Sequence, residues 1–379
     1  MFNVTWAEIS LDAVAHNVKA VRKKAGKGRK ILAIVKADAY GHGAIEISKT
    51  LAQNNVDMLG VAFLDEAIEL RESNIRIPIL LLSPILPEQI YEALRYSLSI
   101  TVCNLHSAEE IAVVAKKNFF DAKIHIEVDT GMGGTGVDLH KTLPLVKTIM
   151  QFESLAIEGI FTHFHSSEET DKSFTQKQNN LFQNILQELR ENNIQIPLIH
   201  AANSAATLTM PESYFNMVRL GLALYGMYPS NSVSREIGLK PVLSLRTRII
   251  NIKQLETGST VGYGRSCKLE KPTKVATIPV GYKDGLYRSL SNVGKVLING
   301  TTAPILGRIC MDRCFVDITH IPDVAIGTDV VLFGSQQNES IRIESAAKLI
   351  NTIPHEIVCA IGRNARRKYL VNGRAINSN

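Results

Sequence analysis

The chain has 379 residues, enough for two domains, and its 45% hydrophobic and 21% charged content is ordinary for globular proteins and excludes wholesale disorder. Its 42 lysines and arginines exceed its 36 aspartates and glutamates by 6, too small an excess at this length to indicate a nucleic-acid or membrane-surface partner. The longest apolar runs, such as residues 77–82, are strand-sized, which excludes a membrane-spanning helix.

Residues 10–230 alternate between helical and strand-like segments. A helix is predicted at 11–21, where apolar residues three and four apart form one face, and a buried strand is predicted at 31–35. Further helices are predicted near 44–51, 65–71, 89–95, 107–115, 143–150 and 177–192, and further strands near 58–63, 79–82, 98–102, 122–128, 157–161, 197–200 and 217–220. About eight strand–helix repeats in roughly 220 residues predict a (β/α)8 barrel of the TIM type. A doubly wound sheet would give the same pattern.

After about residue 229 the pattern changes to short β-rich runs, at 242–252, 273–280, 294–298, 303–306, 314–318 and 330–333. Gly, Pro, Asn and Asp interrupt these runs, as is typical of β structure. The sequence therefore predicts an α/β protein with a barrel over residues 1–230 and a mainly β domain over 231–379, the boundary lying near 228–234. The first strand, at about 4–10, is expected to pair with the β domain.

The cysteines bear on the compartment and on metal binding. An odd number of them, scattered at Cys103, Cys267, Cys310, Cys314 and Cys359, favours reduced thiols over a disulfide framework. Residues 1–10 have no basic residue and no long apolar core, so they do not resemble a secretory signal. We therefore expect a cytoplasmic protein. No metal site is expected, because Cys310 and Cys314 with His320 would supply three ligands at best.

Lys36 directly follows the first predicted barrel strand. This position lies at the C-terminal mouth of a barrel, where barrel enzymes have their active sites. An amine shielded from water favours its neutral form, which is a nucleophile and forms a Schiff base with a carbonyl. Tyr40 follows closely with a hydroxyl donor, and Gly41 and Gly43 allow a tight loop. A strand-end lysine can also simply extend its ammonium group into water, so position alone does not decide.

Residues 34–43, Ile-Val-Lys-Ala-Asp-Ala-Tyr-Gly-His-Gly, closely resemble the cofactor-attachment motif of the alanine racemases. The resemblance extends from Ala7 to the region around Cys359, nearly the whole chain. It implies pyridoxal 5′-phosphate (PLP) bound to Lys36 on a barrel that is joined to a β domain. The implied activity is interconversion of L- and D-alanine, which supplies D-alanine for peptidoglycan.

The resemblance also implies the cofactor-binding residues. Arg219 is similar to the arginine that faces the pyridine nitrogen of PLP, where a guanidinium donates a hydrogen bond without yielding its proton. The ring is then a poorer electron sink, which limits side reactions. His163 is implied to pack on the ring. The positions that resemble the phosphate site, where a serine hydroxyl and backbone N–H groups suit an anion, are Tyr40, Asn203, Ser204, Gly221 and Leu222.

Racemisation removes a proton from one face of the α-carbon and delivers one to the other, so two groups on opposite sides suffice. By resemblance, the partner of Lys36 is Tyr263 from a second copy of the chain. Tyr282, Met311 and Asp312 match segments at the entrance of the partner's active site, where the substrate carboxylate is contacted. The resemblance thus implies a homodimer with shared active sites and a small amino-acid substrate.

Two regions depart from the family pattern. Many members carry a carbamylated lysine at the position of Glu127 and, at that of Gly134, the arginine that it supports. A buried carboxylate without a partner is costly, so Glu127 is expected to be paired otherwise or protonated. The hypothesis is that the substrate carboxylate is bound less tightly, which gives slower turnover or a substrate range that includes serine, lysine or arginine. Near the C-terminus, relatives often have a phosphate-binding tyrosine at Arg363 and a proline at Arg366, and we expect Arg363 to act as a substitute donor.

Three alternatives remain open. Residues 131–136 satisfy the G-x-G-x-x-G dinucleotide pattern, although mid-chain and without an immediate helix. A barrel-type PLP decarboxylase of basic amino acids is disfavoured because its cysteine–acid–glycine motif is missing. A non-catalytic PLP-binding protein would resemble the barrel alone, and residues 231–379 argue against it.

Overall fold

The computed structural model describes residues 4–230, 233 and 237–376 of the chain. Strand β1 (Trp6–Ser10) leads directly into helix α1 (Leu11–Ala25). The Ser10 hydroxyl caps this helix by accepting a hydrogen bond from the Ala13 N–H at 3.2 Å. Val14, Val18 and Val21 form the buried face, as their spacing predicts.

Within residues 4–230, eight parallel strands close into a barrel in the order β5-β4-β3-β2-β10-β9-β8-β6, with β5 also paired to β6. In chain order the strands are β2 (Lys30–Ile34), β3 (Met58–Val61), β4 (Ile79–Leu81), β5 (Ser99–Val102), β6 (Ala122–Asp129), the short β7 (Val137–Asp138) beside β6, β8 (Leu155–Phe161), β9 (Leu198–His200) and β10 (Met217–Leu220). The pairing of β5 with β6 closes the sheet, which confirms the barrel and rules out the doubly wound alternative. Strands such as β3 and β4 are buried throughout, as expected for parallel strands covered on both sides.

Helices lie between the barrel strands. They are α2 (Lys36–Tyr40), α3 (Ala44–Gln53), α4 (Leu64–Glu72), α5 (Ile90–Arg95), α6 (Leu105–Asn118), α7 (Leu139–Ile149), α8 (Ser173–Glu191) and α9 (Ser204–Thr209). Among the described residues, none of the helices is both long and apolar enough to cross a bilayer.

The C-terminal half is mainly β, as predicted. Its strands are β11 (Leu243–Arg248), β12 (Asn251–Leu255), β13 (Thr260–Val261), β14 (Cys267–Lys268), β15 (Thr273–Ile278), β16 (Lys295–Ile298), β17 (Thr301–Leu306), β18 (Cys314–Asp317), β19 (Asp329–Gln336), β20 (Glu339–Ile341), β21 (Arg366–Val371) and β22 (Arg374–Ile376). Two helices, α10 (Ile343–Leu349) and α11 (Pro354–Asn364), were not among the predicted elements. The single run predicted at 242–252 is two strands, β11 and the start of β12. The predicted boundary at 228–234 falls partly on residues 231, 232 and 234, which lie outside the described residues.

The main C-terminal sheet has the order β12-β15-β18-β17-β16-β19-β11-β1-β21-β22, with β20 paired to β19. Strand β1 therefore lies inside this sheet, antiparallel to β11 and parallel to β21. From β1 the chain leaves the β domain, passes through the whole barrel and then returns to the β domain.

Candidate active site

Lys36 lies half-buried just after β2, at the C-terminal mouth of the barrel. The next four residues, 37–40, form a left-handed turn with φ values of 52°, 53°, 53° and 53°. Each such residue costs about 1–2 kcal/mol, so surrounding contacts must hold the turn. The Asp38 carboxylate accepts a hydrogen bond from the Ala44 N–H at 2.7 Å and pairs with Arg367 of β21. The Ala37 N–H donates to the Glu66 carboxylate at 2.5 Å.

Helix α11 of the β domain packs against this turn. The rings of His355 and Tyr40 form a T-shaped pair, with ring centroids 5.3 Å apart and planes at 77°. Burial and the charge of Lys36 lower the pKa of His355 to about 4, so the ring is neutral. Its Nδ1 is buried and has no hydrogen-bond partner among the described residues. Arg363, the predicted substitute donor, lies on the same helix and is exposed.

Arg219 on β10 is only 4% exposed, and both of its terminal nitrogens, Nη1 and Nη2, make hydrogen bonds. Its Nη1 donates to the His200 carbonyl at 3.0 Å and lies 3.1 Å from His200 Nδ1. Its Nη2 donates to the carbonyls of Thr162 and Ala201, both at 2.9 Å, and lies 3.0 Å from His163 Nδ1. Among the described residues the Nε–H has no partner, so one donor remains for a ligand. Burial lowers the pKa of Arg219 to about 10, which leaves it cationic at neutral pH.

His163, just after β8, is in contact with Arg219. Burial and the positive charges of Arg219 and Lys36 lower its pKa to about 3, so the imidazole is neutral. Arg219 can only donate, so His163 Nδ1 accepts and the proton resides on Nε2. The structure thus brings the predicted residues Lys36, His163 and Arg219 into one electrostatic cluster.

Ser204 and Gly221 meet beside Tyr40. The Ser204 Oγ accepts hydrogen bonds from the N–H groups of Gly221, at 2.9 Å, and Ala223, at 3.2 Å, which leaves its own hydroxyl hydrogen to donate. A Cβ on Gly221 would lie 2.8 Å from the Tyr40 hydroxyl oxygen, so only glycine permits this approach. Burial raises the pKa of Tyr40, which therefore stays a neutral donor. Leu222 is buried next to this cluster.

Asn203 has a structural role beside Ser204. Its side-chain oxygen accepts from the Ala206 N–H at 3.1 Å and from the Ser167 hydroxyl at 2.8 Å. Asn203 is therefore the N-cap of α9, and Ser204 is the first residue of the helix. This arrangement frees the Ser204 hydroxyl from capping.

The four predicted residues of the β domain lie apart from this cluster. Tyr263, Tyr282 and Met311 are 72%, 42% and 59% exposed. Asp312 is paired with its neighbour Arg313 at 3.0 Å. Across residues 4–230, 233 and 237–376, none of the four makes a hydrogen bond, ion pair or ring contact with Lys36, Tyr40, His163 or Arg219. Tyr263, Tyr282 and Met311 are therefore accessible at the surface of this chain.

Glu127, near the end of β6, is 8% exposed. The Cys103 thiol lies 3.5 Å from its Oε2, and Thr135 also hydrogen-bonds to the carboxyl group. Burial raises the pKa of Glu127, although these two hydrogen bonds and the charge of Arg219 oppose the rise. A Cβ on Gly134 would meet nothing within 4 Å, so the loop leaves open space. Glu127 is thus held by a thiol and a hydroxyl.

The glycine-rich segment at 131–136 is not arranged for a dinucleotide. The N–H groups of Gly131, Met132 and Gly133 donate to the Asp129 carboxylate at 2.9, 2.8 and 3.1 Å. Strand β7 follows the segment, where the dinucleotide fold requires a helix. The N–H groups that would bind a pyrophosphate are already used.

The whole chain is similar to known racemases. Residues 9–229 match the alanine racemase N-terminal domain and residues 242–369 the C-terminal domain. An alanine racemase of Clostridium tetani is 43% identical over 98% of this chain and 96% of its own length. The solved alanine racemase of Clostridium difficile 630 superposes with a TM-score of 0.93 at 35% identity, covering 100% of this chain and 98% of that one. A histidine racemase of Leuconostoc mesenteroides has a TM-score of 0.88 at 25% identity, covering 97% and 98%. The chain belongs to the alanine racemase family, whose cofactor is PLP, as residues 34–43 predicted.

Proposed function

We propose that this chain is an alanine racemase that interconverts L- and D-alanine with PLP and supplies D-alanine for peptidoglycan. One observation carries the proposal: Lys36, neutral His163 and cationic Arg219 form a single cluster at the barrel mouth. The names of the relatives described above support the same substrate. Five free thiols favour a reducing, cytoplasmic setting.

The donors at the barrel mouth fit PLP. The amine of Lys36 would hold the aldehyde carbon. The free Nε–H of Arg219 suits an unprotonated pyridine nitrogen, and His163 would pack against the ring. The phosphate would lie next to α9, whose N-cap is Asn203. The hydroxyl groups of Tyr40 and Ser204 would donate to it, and the backbone at Gly221 and Leu222 would pass close to it. His355, with its unpartnered Nδ1 against Tyr40, would complete this side of the site.

Two proton-transfer groups account for racemisation. When bound, PLP supplies an electron-withdrawing ring that acidifies the α-hydrogen of the bound amino acid. Lys36 Nζ moves the proton on one face of the α-carbon, and the phenol oxygen of Tyr263 from a second copy moves it on the other. Arg219 keeps its proton, because its pKa of about 10 lies well above neutral pH. Neutral His163 adds no charge beside the ring.

The second base makes a homodimer necessary. Tyr263 is 72% exposed and has no contact with Lys36 of its own chain in the described residues. In the dimer it would enter the barrel mouth of the other copy. Tyr282 and Met311 would narrow the entrance, and with Asp312 they would contact the substrate carboxylate. A monomer would lack one of its two bases.

A broader substrate range is the second candidate. Gly134 leaves open space, and Glu127 offers a buried acceptor that no cation contacts directly among the described residues. A serine, lysine or arginine substrate would place a donor or a cation there, and a cation would favour the ionised form of Glu127. A relative with nearly the same fold is named a histidine racemase, so larger substrates are compatible with this architecture.

Incubation of the PLP-loaded protein with each L-amino acid in D₂O tests both candidates. We expect visible absorbance from the cofactor, α-deuterium uptake and formation of the D-isomer with alanine, and none of the last two with Lys36→Ala. CO₂ release would indicate a decarboxylase, and a yellow but inert protein a carrier; either outcome would overturn the proposal. Values of kcat/KM for alanine, serine, lysine and arginine then measure the range, and exclusive turnover of alanine would reject the second candidate.

A further inference from the structure

Four buried or partly buried side chains form a hydrogen-bonded chain through the barrel, which we call the Glu158 relay: Arg219, His200, His125 and Glu158. Arg219 Nη1 lies 3.1 Å from His200 Nδ1, and His200 Nε2 lies 3.0 Å from His125 Nδ1. His125 Nε2 lies 3.2 Å from Glu158 Oε2. The four residues come from the adjacent strands β10, β9, β6 and β8. They are separated by up to 94 positions in the sequence (219 − 125), and only the barrel brings them together.

The relay runs from the active-site side of the barrel towards the opposite end. Ser99 and Lys123, which contact Glu158, are the first and second residues of their strands, whereas Lys36 lies beyond the end of β2. Room for the His125 ring comes from Gly159, where a Cβ would overlap the imidazole. The barrel core is therefore shaped around this pair of histidines.

The direction of every hydrogen bond follows from chemistry. A guanidinium only donates, so His200 Nδ1 accepts from Arg219. Burial lowers the pKa of both His200 and His125, and each neutral imidazole then has one donor and one acceptor. His200 Nε2–H therefore donates to His125 Nδ1, and His125 Nε2–H donates to Glu158. Both histidines are fixed in the tautomer with hydrogen on Nε2.

Glu158 is the anion at the end of this relay. Burial opposes its ionisation, but hydrogen bonds from His125 and Ser99 hold its pKa at about 2. The Ser99 hydroxyl donates to it at 2.6 Å. With Glu158 removed, His125 Nε2–H would lose its acceptor and the opposite tautomer would become accessible to both rings. An N–H on His200 Nδ1 would then face the guanidinium and push it from its position.

We propose that Glu158 is a positioning residue of the racemase: it fixes the tautomers of His125 and His200 and thereby the orientation of the Arg219 guanidinium, so that the Nε–H is presented to the cofactor. The effect on catalysis rests on the function proposed above. The tautomers are a property of the folded chain and can be measured without any turnover.

The test compares the full-length, PLP-loaded protein with Glu158→Ala, Glu158→Gln and the control Lys123→Gln. Lys123→Gln removes the exposed ion-pair partner of Glu158, 3.5 Å away, and leaves the relay intact. Nitrogen-15 NMR of the histidine side chains reports the tautomers, and steady-state kinetics with alanine reports kcat and KM. Glu158→Gln keeps an oxygen acceptor for His125 Nε2–H, so it is the conservative rescue.

We expect His125 and His200 of the wild type to carry hydrogen on Nε2 only. Glu158→Ala should give mixed tautomers, a shifted cofactor absorbance and a kcat lower by about tenfold with KM changed less than about twofold. Glu158→Gln should restore the tautomers and most of kcat, and Lys123→Gln should match the wild type. Nδ1-protonated histidines in the wild type, or a Glu158→Ala protein with unchanged tautomers and kcat, would overturn the proposal.

The two proposals fail differently. A chain that racemises nothing but has the expected tautomers refutes the proposed function, and with it the catalytic role of Glu158. A chain that racemises alanine equally well with and without Glu158 refutes the relay alone. If Glu158→Ala does not fold, the tautomers of the wild type and the kinetics of Glu158→Gln still test the proposal. A Glu158→Gln protein that has wild-type tautomers but a kcat below about one tenth of the wild-type value would contradict it, because correct tautomers would then not be sufficient for catalysis.

Discussion

Gly362 on α11 lies in backbone contact with Gly41, and a Cβ at Gly362 would overlap the carbonyl oxygen of Gly41. Gly41 follows the left-handed turn that begins after Lys36, so this contact joins the β domain to the segment beside Lys36 of the same chain. On the opposite side of α11, a Cβ at Gly285 would lie 2.6 Å from the Ile361 nitrogen. The loop that carries Tyr282 is therefore also seated on α11.

Gly362→Ala is expected to push α11 away from the Lys36 turn. Overpacking of this kind costs about 1–3 kcal/mol of unfolding free energy. Retention of PLP should fall as well, because the strained turn loses a support. Denaturant unfolding and cofactor absorbance after dialysis measure the two effects. Gly134→Ala, where the added Cβ meets nothing within 4 Å, is the control for stability and should unfold like the wild type. Wild-type stability of Gly362→Ala would contradict the contact.

Ser204 and Asn203 are adjacent, but substitution of each is expected to affect stability and PLP binding differently. Ser204→Ala leaves the N–H groups of Gly221 and Ala223 without their acceptor and removes a donor to the phosphate. We expect a loss of about 1–3 kcal/mol and weaker PLP binding. Asn203→Ala removes a helix cap, for a loss of about 1 kcal/mol, with a smaller change in PLP affinity. Unfolding without PLP and titration with PLP separate the two, and equal loss of PLP affinity would reject the distinction.

Glu127 should make the stability of the folded chain depend on pH. Its pKa is raised by burial, so between the ordinary glutamate pKa and the raised one the folded chain keeps a proton that the unfolded chain has lost. The contribution of this group to the free energy of unfolding is largest below that pH window. It falls as the pH rises through the window, by about 1.4 kcal/mol for each pH unit that separates the two pKa values. Unfolding free energies of Glu127→Gln across this range should lack the fall. Exposed Glu153→Gln is the control and should retain it. A Glu127→Gln protein that parallels the wild type at every pH would show that the carboxyl is not perturbed.

Shared active sites predict complementation between two inactive variants. Lys36→Ala and Tyr263→Phe should each lose nearly all racemase activity as separate proteins. When they are co-expressed, half of the dimers are mixed, and each mixed dimer has one intact site of two. Activity should therefore recover to about a quarter of wild type. As a control, co-expression of the Lys36→Ala/Tyr263→Phe double variant with either single variant should restore no activity, because no dimer then has an intact site. No recovery in the mixed dimer would mean that both bases come from one chain.

The barrel could be predicted because its strands are buried on both sides and therefore form recognisable apolar runs, such as Ile79–Leu81. The left-handed turn could not. Residues 37–40 include no glycine, and local preference opposes four such residues in succession. Distant groups compensate for the cost: Glu66, Arg367 and the α11 backbone. Glu66 is 29 positions from Ala37 and Arg367 is 329 positions from Asp38, separations that no local pattern contains.

Parts of the candidate site were also inaccessible to sequence reasoning. Lys36 and Arg219 each stand in a motif, but His125, Glu158 and His200 acquire meaning only from strand register. His355 was not predicted because helix α11 was not predicted, and Arg363, two turns later on the same helix, was selected from the resemblance alone. A helical periodicity at Ile357, Val358 and Ile361, the buried face of α11, was the available signal.

The placement of β1 between β11 and β21 ties the order of folding to the order of synthesis. On the ribosome, β1 is made before both of its neighbours, and its backbone is paired on both sides only after β21, which begins at residue 366, has been made. Severing the chain between the halves would remove an interior strand from the C-terminal sheet. Pairing of strands so far apart in the sequence favours slow folding.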